Sequence, residues 1–366
     1  SPAGASVLLP AGTDRTNITV APVWDGNVEG DESVVLRLAN GGYIQALTNQ
    51  GTVTIADAVF TPGVNETMGV GYWTNGAIWS LNRAPAEGDT VTVKHAVIID
   101  QSSYVMNSCV IANGGALTMA KWNTVLSATG LVHVLSGGSI TLPGPFNDFN
   151  MVSNRIHVIC ADFTVDNGGL VDADRGGYAR ENGPGKGSGA SHGGEGGSPY
   201  HAPVYGSLTT PELPGSGGLT PYGGDGGGVV RIEATGVVTV NGTIRASAGG
   251  VTSQYYSGGS GGSIYITCNA FAGSPSGLIQ ACGDFSAPAY NGMGGGGGRI
   301  AVVYDSATQA GANPGVRFDA RGGYYYLPHY NRRTEAQEGT IYFPDITMLS
   351  ETMNNNRFYG GQIFVQ

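Results

Sequence analysis

GGDGGGVVRIEATGVVTVNGTIRASAGG, residues 223–250, is followed by two variations on itself, GGSGGSIYITCNAFAGSPSGLIQACG at 258–283 and GGGGGRIAVVYDSATQAGANPGVRFDARGG at 294–323. A partial copy, EGTIYFPDI, closes the series at 338–346. Val230, Ile264, Ile300 and Ile341 hold the same place in the four units, 34, 36 and 41 residues apart. Each unit carries two short strands of alternating apolar and polar residues and cannot bury its own apolar face, so it must stack on its neighbours as a β-solenoid. The four aligned aliphatics are expected to form one inward-facing column. Glycines in clusters of four or five permit tight corners and close approach of one coil to the next. A phosphate cradle is excluded, because neither Lys-Ser nor Lys-Thr follows GGGGG and no helix does.

Upstream, VMNSCVIANGGALTMA (105–120), LVHVLSGGSITLPG (131–144) and FTVDNGGLVDADRGG (163–177) place glycine pairs at 114, 137 and 168 before equivalent strands. Steps of that size suit one three-sided coil with a variable loop. The segment WSLNRAPAEGDTVTV from Trp79, followed by IID at 98–100, resembles the opening of right-handed parallel β-helix domains, including the G8 type. Residues 178–223 interrupt the repeat without a strand pattern, and a loop of that length is expected to be mobile or functional. NRRTEAQE at 331–338 is the only run with helical spacing, two turns at most.

Composition narrows the function classes. Glycine supplies 63 of 366 residues without a G-X-Y period, which excludes collagen, and 40% apolar residues argue against a disordered tail. Only 12% of residues are charged, as expected of an extracellular or cell-surface β protein covered by Gly, Ser, Thr, Asn and Tyr. A net charge of −10 with no basic run leaves no electrostatic basis for binding nucleic acid or anionic lipid. No apolar run is long enough for membrane insertion, and a first residue of Ser reads as a processed, mature chain. Cys109, Cys160, Cys268 and Cys282 allow either two bridges or four small buried hydrophobes. Asn17, Asn65 and Asn241 begin N-x-T sequons.

Residues 5–57 read as short strands, ASVLLP, NITVAPV, SVVLRLA and GTVTIAD, separated by polar turns. With Pro10-Ala11-Gly12, Ile18-Thr19-Val20, the acidic turn Asp25 to Glu32 and the closing strand Val53 to Asp57, this segment resembles a partial Calx-β domain. That resemblance implies a sandwich and a possible Ca²⁺ site at Asp25, Glu29, Glu32 and Asp57, since clustered carboxylates repel unless a hard cation neutralises them. The expected organisation is all-β: a partial Calx-β-like sandwich at 1–58, a linker and solenoid opening at 59–88, and a right-handed parallel β-solenoid at 89–343 with the loop 178–223 inserted. A C-terminal extension, 344–366, completes it.

Three functions fit this plan. A structural subunit of an extracellular filament, sheath or surface layer would have other copies of itself as partners. The opening strands missing from the Calx-β pattern and the strand Gln362 to Gln366 suggest assembly by strand exchange. A carbohydrate-active enzyme would place carboxylates and cations on one face of consecutive coils. Asp172, Asp174, Arg175, Arg180, Lys186, His192, His201 and Tyr205 are its candidates, whereas Arg231, Arg245, Arg299, Arg317 and Arg321 recur as a repeated coil would require. His133 and His157, set in apolar alternation, read as structural. A glycan-binding adhesin would use tyrosine clusters, Tyr255-Tyr256, Tyr324-Tyr325-Tyr326 and Tyr330.

Overall fold

The structure, a computed structural model, describes residues 31–37, 49–55, 61–147, 154–198, 201–219, 222–250, 257–284, 293–312, 314–327, 332–349 and 357–366. The chain divides into two compact units, Ser1–Thr61 and Pro62–Gln366. In the first, Glu32–Arg37 and Gln50–Ile55 pair antiparallel, with Glu32 opposite Ile55. The rest of the expected sandwich lies outside the described residues.

The second unit is a parallel β-solenoid. Among the described residues it has three parallel sheets, of seven, nine and seven strands, which the chain visits in turn. The first face runs from Val64–Glu66 to Ala270–Gly273, the second from Gly71–Tyr72 to Phe358–Gly360, and the third from Leu126–Ser127 to Gln362–Val365. Alternation decides which side chains point inward. Ile156, Val230, Ile264, Ile300 and Ile341 follow one another in register on the third face and are fully buried. Val91, Cys109, Val132, Phe163, Val238 and Phe271 do the same on the first. Burying one such aliphatic contributes about 1.5–3 kcal/mol, which no single coil could realise alone. All four cysteines are buried and unpaired, and burial pushes the thiols of Cys109, Cys160 and Cys268 up to about 12. They fill the core and form no bridge.

The glycine pairs turn the chain from the first face to the second. Gly114, Gly137 and Gly168 sit at φ of 82°, 79° and 86°, where a side chain would be strained. The turns stack, the Gly114 amide donating to the Gly137 carbonyl at 3.0 Å and Gly137 to Gly168 at 2.9 Å.

Three expectations change. The stack begins at Val64, within the segment 59–88 expected to hold the linker and the solenoid opening, because Val64–Glu66 and Gly71–Tyr72 pair with the next coil. Trp73 and Trp79 are buried there, with ring centroids 5.0 Å apart. At the other end the extension is solenoid too: Gln362–Val365 pairs parallel with Thr340–Phe343, so the last strand has a partner in its own chain. Phe358–Gly360 first adds a strand to the second face, and Gly361, at φ 134°, lets the chain turn into the third. Finally, Arg332–Glu335 is a strand antiparallel to Tyr324–Leu327, not a helical turn. The run has no apolar stripe to bury as a helix, and hairpin pairing satisfies its backbone. The α-helical turn that forms, Ser306–Gln309, is capped by Asp305, whose Oδ1 accepts the Thr308 amide at 2.8 Å.

Candidate functional site

The insertion at 178–223, expected to be mobile or functional, is bonded to the solenoid along its described residues. Its anchorage begins at a repeated neck between the second and third faces. Ala173, Ala246, Ala281 and Ala320 immediately follow the second-face strands, and Gly228, Gly262, Gly298 and Gly339 immediately precede the third-face ones. In each coil the glycine amide donates to the alanine carbonyl, at 2.7, 2.7, 2.8 and 2.7 Å. Beyond the necks the returning segments bond to one another: Gly227 to Ser260, Gly261 to Gly296 and Gly297 to Gln337, each at 3.0 Å. The insertion threads into this layer, with Gly215 donating to Gly227 at 2.8 Å, Gly193 to Gly297 at 3.0 Å and Gly197 to Gly294 at 2.9 Å. A Cβ on Gly226 would lie 1.9 Å from the Gly215 carbonyl oxygen, and one on Gly296 2.0 Å from that of Gly194. Only side-chain-free backbones approach so closely, and their N–H and C=O groups then satisfy one another laterally.

Polar side chains fasten the layer. His192 is fully buried, its Nδ1 donating to the Gly261 carbonyl at 2.7 Å and its ring 4.6 Å from that of Tyr205. Burial depresses its pKa to about 3, so the imidazole is neutral. The Tyr205 hydroxyl donates to the Pro214 carbonyl at 2.6 Å, and buried Arg299 donates to the Tyr205 carbonyl at 2.8 Å and to Thr340 Oγ1 at 3.2 Å. Asp225, nearly fully buried, accepts from Arg175 Nη2 and from the Arg180 amide, both at 3.1 Å.

On the outer side of the third face His157 and Arg231 are register neighbours. Arg155 Nη2 donates to His157 Nδ1 at 3.2 Å, so Nε2 carries the proton that bonds Glu233 Oε1 at 2.6 Å. Both ring nitrogens are engaged, and desolvation keeps the ring's pKa below its ordinary value. Arg231 grips Glu233 at 2.7 and 3.0 Å and pairs with Glu212 of the insertion. Chiefly because of Arg231, the Glu233 carboxyl is held down to about 2. On the second face Arg245 pairs with Asp172 at 2.8 Å and Asp174 at 3.0 Å, and Arg321 with Asp319 at 2.7 Å. Desolvation raises the Asp174 carboxyl to about 6.

The candidates thus fall into separate groups rather than one constellation. Lys186 is exposed, Arg317 donates to the Ser276 carbonyl at 3.3 Å, and His133 Nε2 stands 3.0 Å from Asp166 Oδ1. Of the calcium set, Glu32 is exposed at the start of its strand, while Asp25, Glu29 and Asp57 lie outside the described residues. Asn65 is fully buried, its amide donating to the Arg83 carbonyl at 3.1 Å, which makes that sequon inaccessible in the folded protein.

One recess brings insertion and solenoid together at the surface. A cleft of about 420 Å³ is lined by Glu195, Gly196, Gly197, Ser198 and His201 of the insertion and by Glu335 and Gln337. Its walls are tied by the Gln337 amide donating to the Glu195 carbonyl at 2.8 Å and by the Glu195 amide donating to Gln337 Oε1 at 3.0 Å. Sequence reading missed Glu195, Glu335 and Gln337, because residues 140 positions apart in an interrupted repeat carry no signal of proximity. No protein-family model, curated protein or solved structure matches the chain.

Proposed function

We propose that the chain is a structural and adhesive component of an extracellular filament, sheath or surface layer, whose solenoid serves as a stiff scaffold for a surface-facing insertion. One observation carries this reading. Several imidazole and charged groups of the kind a solenoid enzyme would keep for substrate are committed to structure: Arg231 bridges Glu233 to Glu212 and His192 and Arg299 bond backbone carbonyls, which fastens the insertion, while His157 commits both ring nitrogens to Arg155 and Glu233 within the coils. Such groups stabilise a shape, and chemistry would require freeing them. In the same proposal the first unit is a Calx-β-like sandwich, the coils are right-handed, and calcium sits among Asp25, Glu29, Glu32 and Asp57. Other copies of the chain are the assembly partners.

Negative-stain imaging of the purified protein in calcium and in chelator tests the reading. Regular polymers are expected. Monodisperse monomers that reduce the viscosity of a polysaccharide gel would overturn it in favour of a carbohydrate-active enzyme.

A further inference from the structure

We propose that Asn167 is a self-modifying site, where the folded chain deamidates and leaves aspartate or isoaspartate at one corner of the solenoid. Asparagine before glycine is the pair that favours this chemistry, because a neighbour without a side chain lets its backbone nitrogen reach the asparagine side chain. Five such pairs lie among the described residues, at 75–76, 113–114, 167–168, 182–183 and 241–242. Strand register sets the corner at 167–168 apart. Ile111, Val134 and Val165 are partners at the end of the first face, and Ala116, Ser139 and Leu170 at the start of the second, so corners 112–115, 135–138 and 166–169 match in length. The next coil pairs Val240 with Val165 and Thr243 with Leu170, which leaves Asn241 and Gly242 alone to make its corner. Both their amides donate to the Val165 carbonyl, at 2.8 and 3.0 Å, and the short corner offers no carbonyl to Gly168. The ladder from Gly114 to Gly137 to Gly168 therefore stops. Among the described residues the Gly168 amide has no acceptor, the Asn167 carbonyl has no donor, and the exposed Asn167 side chain has no partner.

The reaction needs only water and hydroxide. The Gly168 nitrogen, its proton lost to hydroxide, attacks the side-chain carbonyl carbon of Asn167; the bond to the side-chain nitrogen breaks, ammonia leaves, and a five-membered succinimide closes. Water then opens either ring C–N bond, giving aspartate or isoaspartate, with no oxidation or reduction. Attack requires the peptide unit between the two residues to rotate until its nitrogen faces that carbon, and here the rotation breaks no hydrogen bond. Asn113-Gly114-Gly115 is a comparison within the same molecule: it has the sequence of 167–169, the same corner length, an exposed asparagine and a glycine φ of 82° against 86°. It differs in that the Gly114 amide donates to Gly137 at 3.0 Å. The other pairs are held too. Asn241 Oδ1 accepts the Ser274 amide at 3.0 Å, Asn182 Nδ2 donates to the Arg180 carbonyl at 2.7 Å, and Asn75 Oδ1 accepts the Ala77 amide at 3.1 Å. The product places a carboxylate beside Asp166, which stands 3.0 Å from His133 Nε2, and isoaspartate lengthens the corner by a backbone carbon.

The site goes beyond the proposed function and does not depend on whether the protein polymerises. The test incubates the full chain in mildly alkaline buffer at body temperature, once folded and once in urea, and follows each Asn-Gly peptide by mass spectrometry with separation of the isoaspartyl form. In the folded protein Asn167 is expected to convert ahead of the other four described pairs. Asn113 should lag it roughly tenfold, since one hydrogen bond must break before its peptide unit turns. In urea, where only the shared Asn-Gly-Gly sequence remains, the two should convert at comparable rates. Asn113 keeping pace with Asn167 in the folded protein would overturn the inference. So would an Asn167 that stays intact when folded yet converts in urea. A rate ratio that persists in urea would assign the difference to sequence rather than to the corner, and would overturn it as well.

Discussion

Replacing Gly262 by Ala probes the neck on which the glycine layer hangs. The new Cβ would stand 2.0 Å from the Gly228 carbonyl oxygen and 2.5 Å from the Gly227 carbonyl carbon. A carbon needs about 3 Å or more, so one backbone must move by about 1 Å. Both are held: Gly262 donates to Ala246 and Gly228 to Ala173, each at 2.7 Å. The φ of Gly262 is outside the left-handed region, so crowding is the whole effect. Overpacking of a tight site costs about 1–3 kcal/mol, and a weakened neck hydrogen bond adds about 1. At roughly 2 to 4 °C per kcal/mol for a large domain, the variant should melt on the order of 5 to 10 °C below the parent in thermal scans followed by circular dichroism. Gly69→Ala, with open space around the added Cβ, is the control and should melt with the parent. If Gly262→Ala and Gly69→Ala melt together, the backbone contact that defines the layer does not exist.

Ile300→Asp places a carboxylate in the fully buried third-face column and should cost several kcal/mol, so an unchanged melting temperature would refute the inward column. For His192 the unfolded chain takes up its proton near pH 6.5 and the folded one near 3, so stability present above 6.5 is lost as pH falls from 6.5 to 3. At roughly 1.4 kcal/mol per pH unit that loss is on the order of 5 kcal/mol, and urea midpoints of His192→Phe should fall less over this range than those of the parent. Arg231→Met removes the partner of Glu212, and amide hydrogen exchange should accelerate in residues 201–219; unchanged protection there would show that the ion pair does not hold the insertion. If calcium binds the first unit, millimolar Ca²⁺ should raise its melting midpoint and EDTA should lower it, while indifference to both would remove the ion.

The repeat was legible because stacking imposes a period that the chain must write out in full. Val230, Ile264, Ile300 and Ile341 could be aligned by eye, and the structure places them on one ladder. Gly114, Gly137 and Gly168 announced their turns because only glycine takes that φ without strain. Val64–Glu66 escaped notice since three residues beside a tryptophan-rich segment show no alternation long enough to read. The way the insertion is anchored was hidden for a different reason. A glycine-rich stretch with no apolar pattern ordinarily signals mobility, yet here the burial is of backbone against backbone, which leaves no hydropathy trace. His192 was singled out as chemistry, and what distinguishes it is the Gly261 carbonyl, 69 positions away. Glu195 and Gln337 meet only because the insertion folds back across later coils.

The glycine layer also bears on how the protein resists proteolysis and chemical damage. An endoprotease needs an extended segment that it can lift from its surroundings and side chains to fill its subsites. Residues 193–197, 224–228 and 294–298 offer few side chains, and most of their amides are bonded to neighbouring carbonyls, those of Glu195 and Gly196 to the Gln337 and Ser191 side chains. Oxidation has no sulfur or ring to attack there, and deamidation no Asn. A buried layer built mostly of peptide groups has little in it that can be cut or chemically damaged.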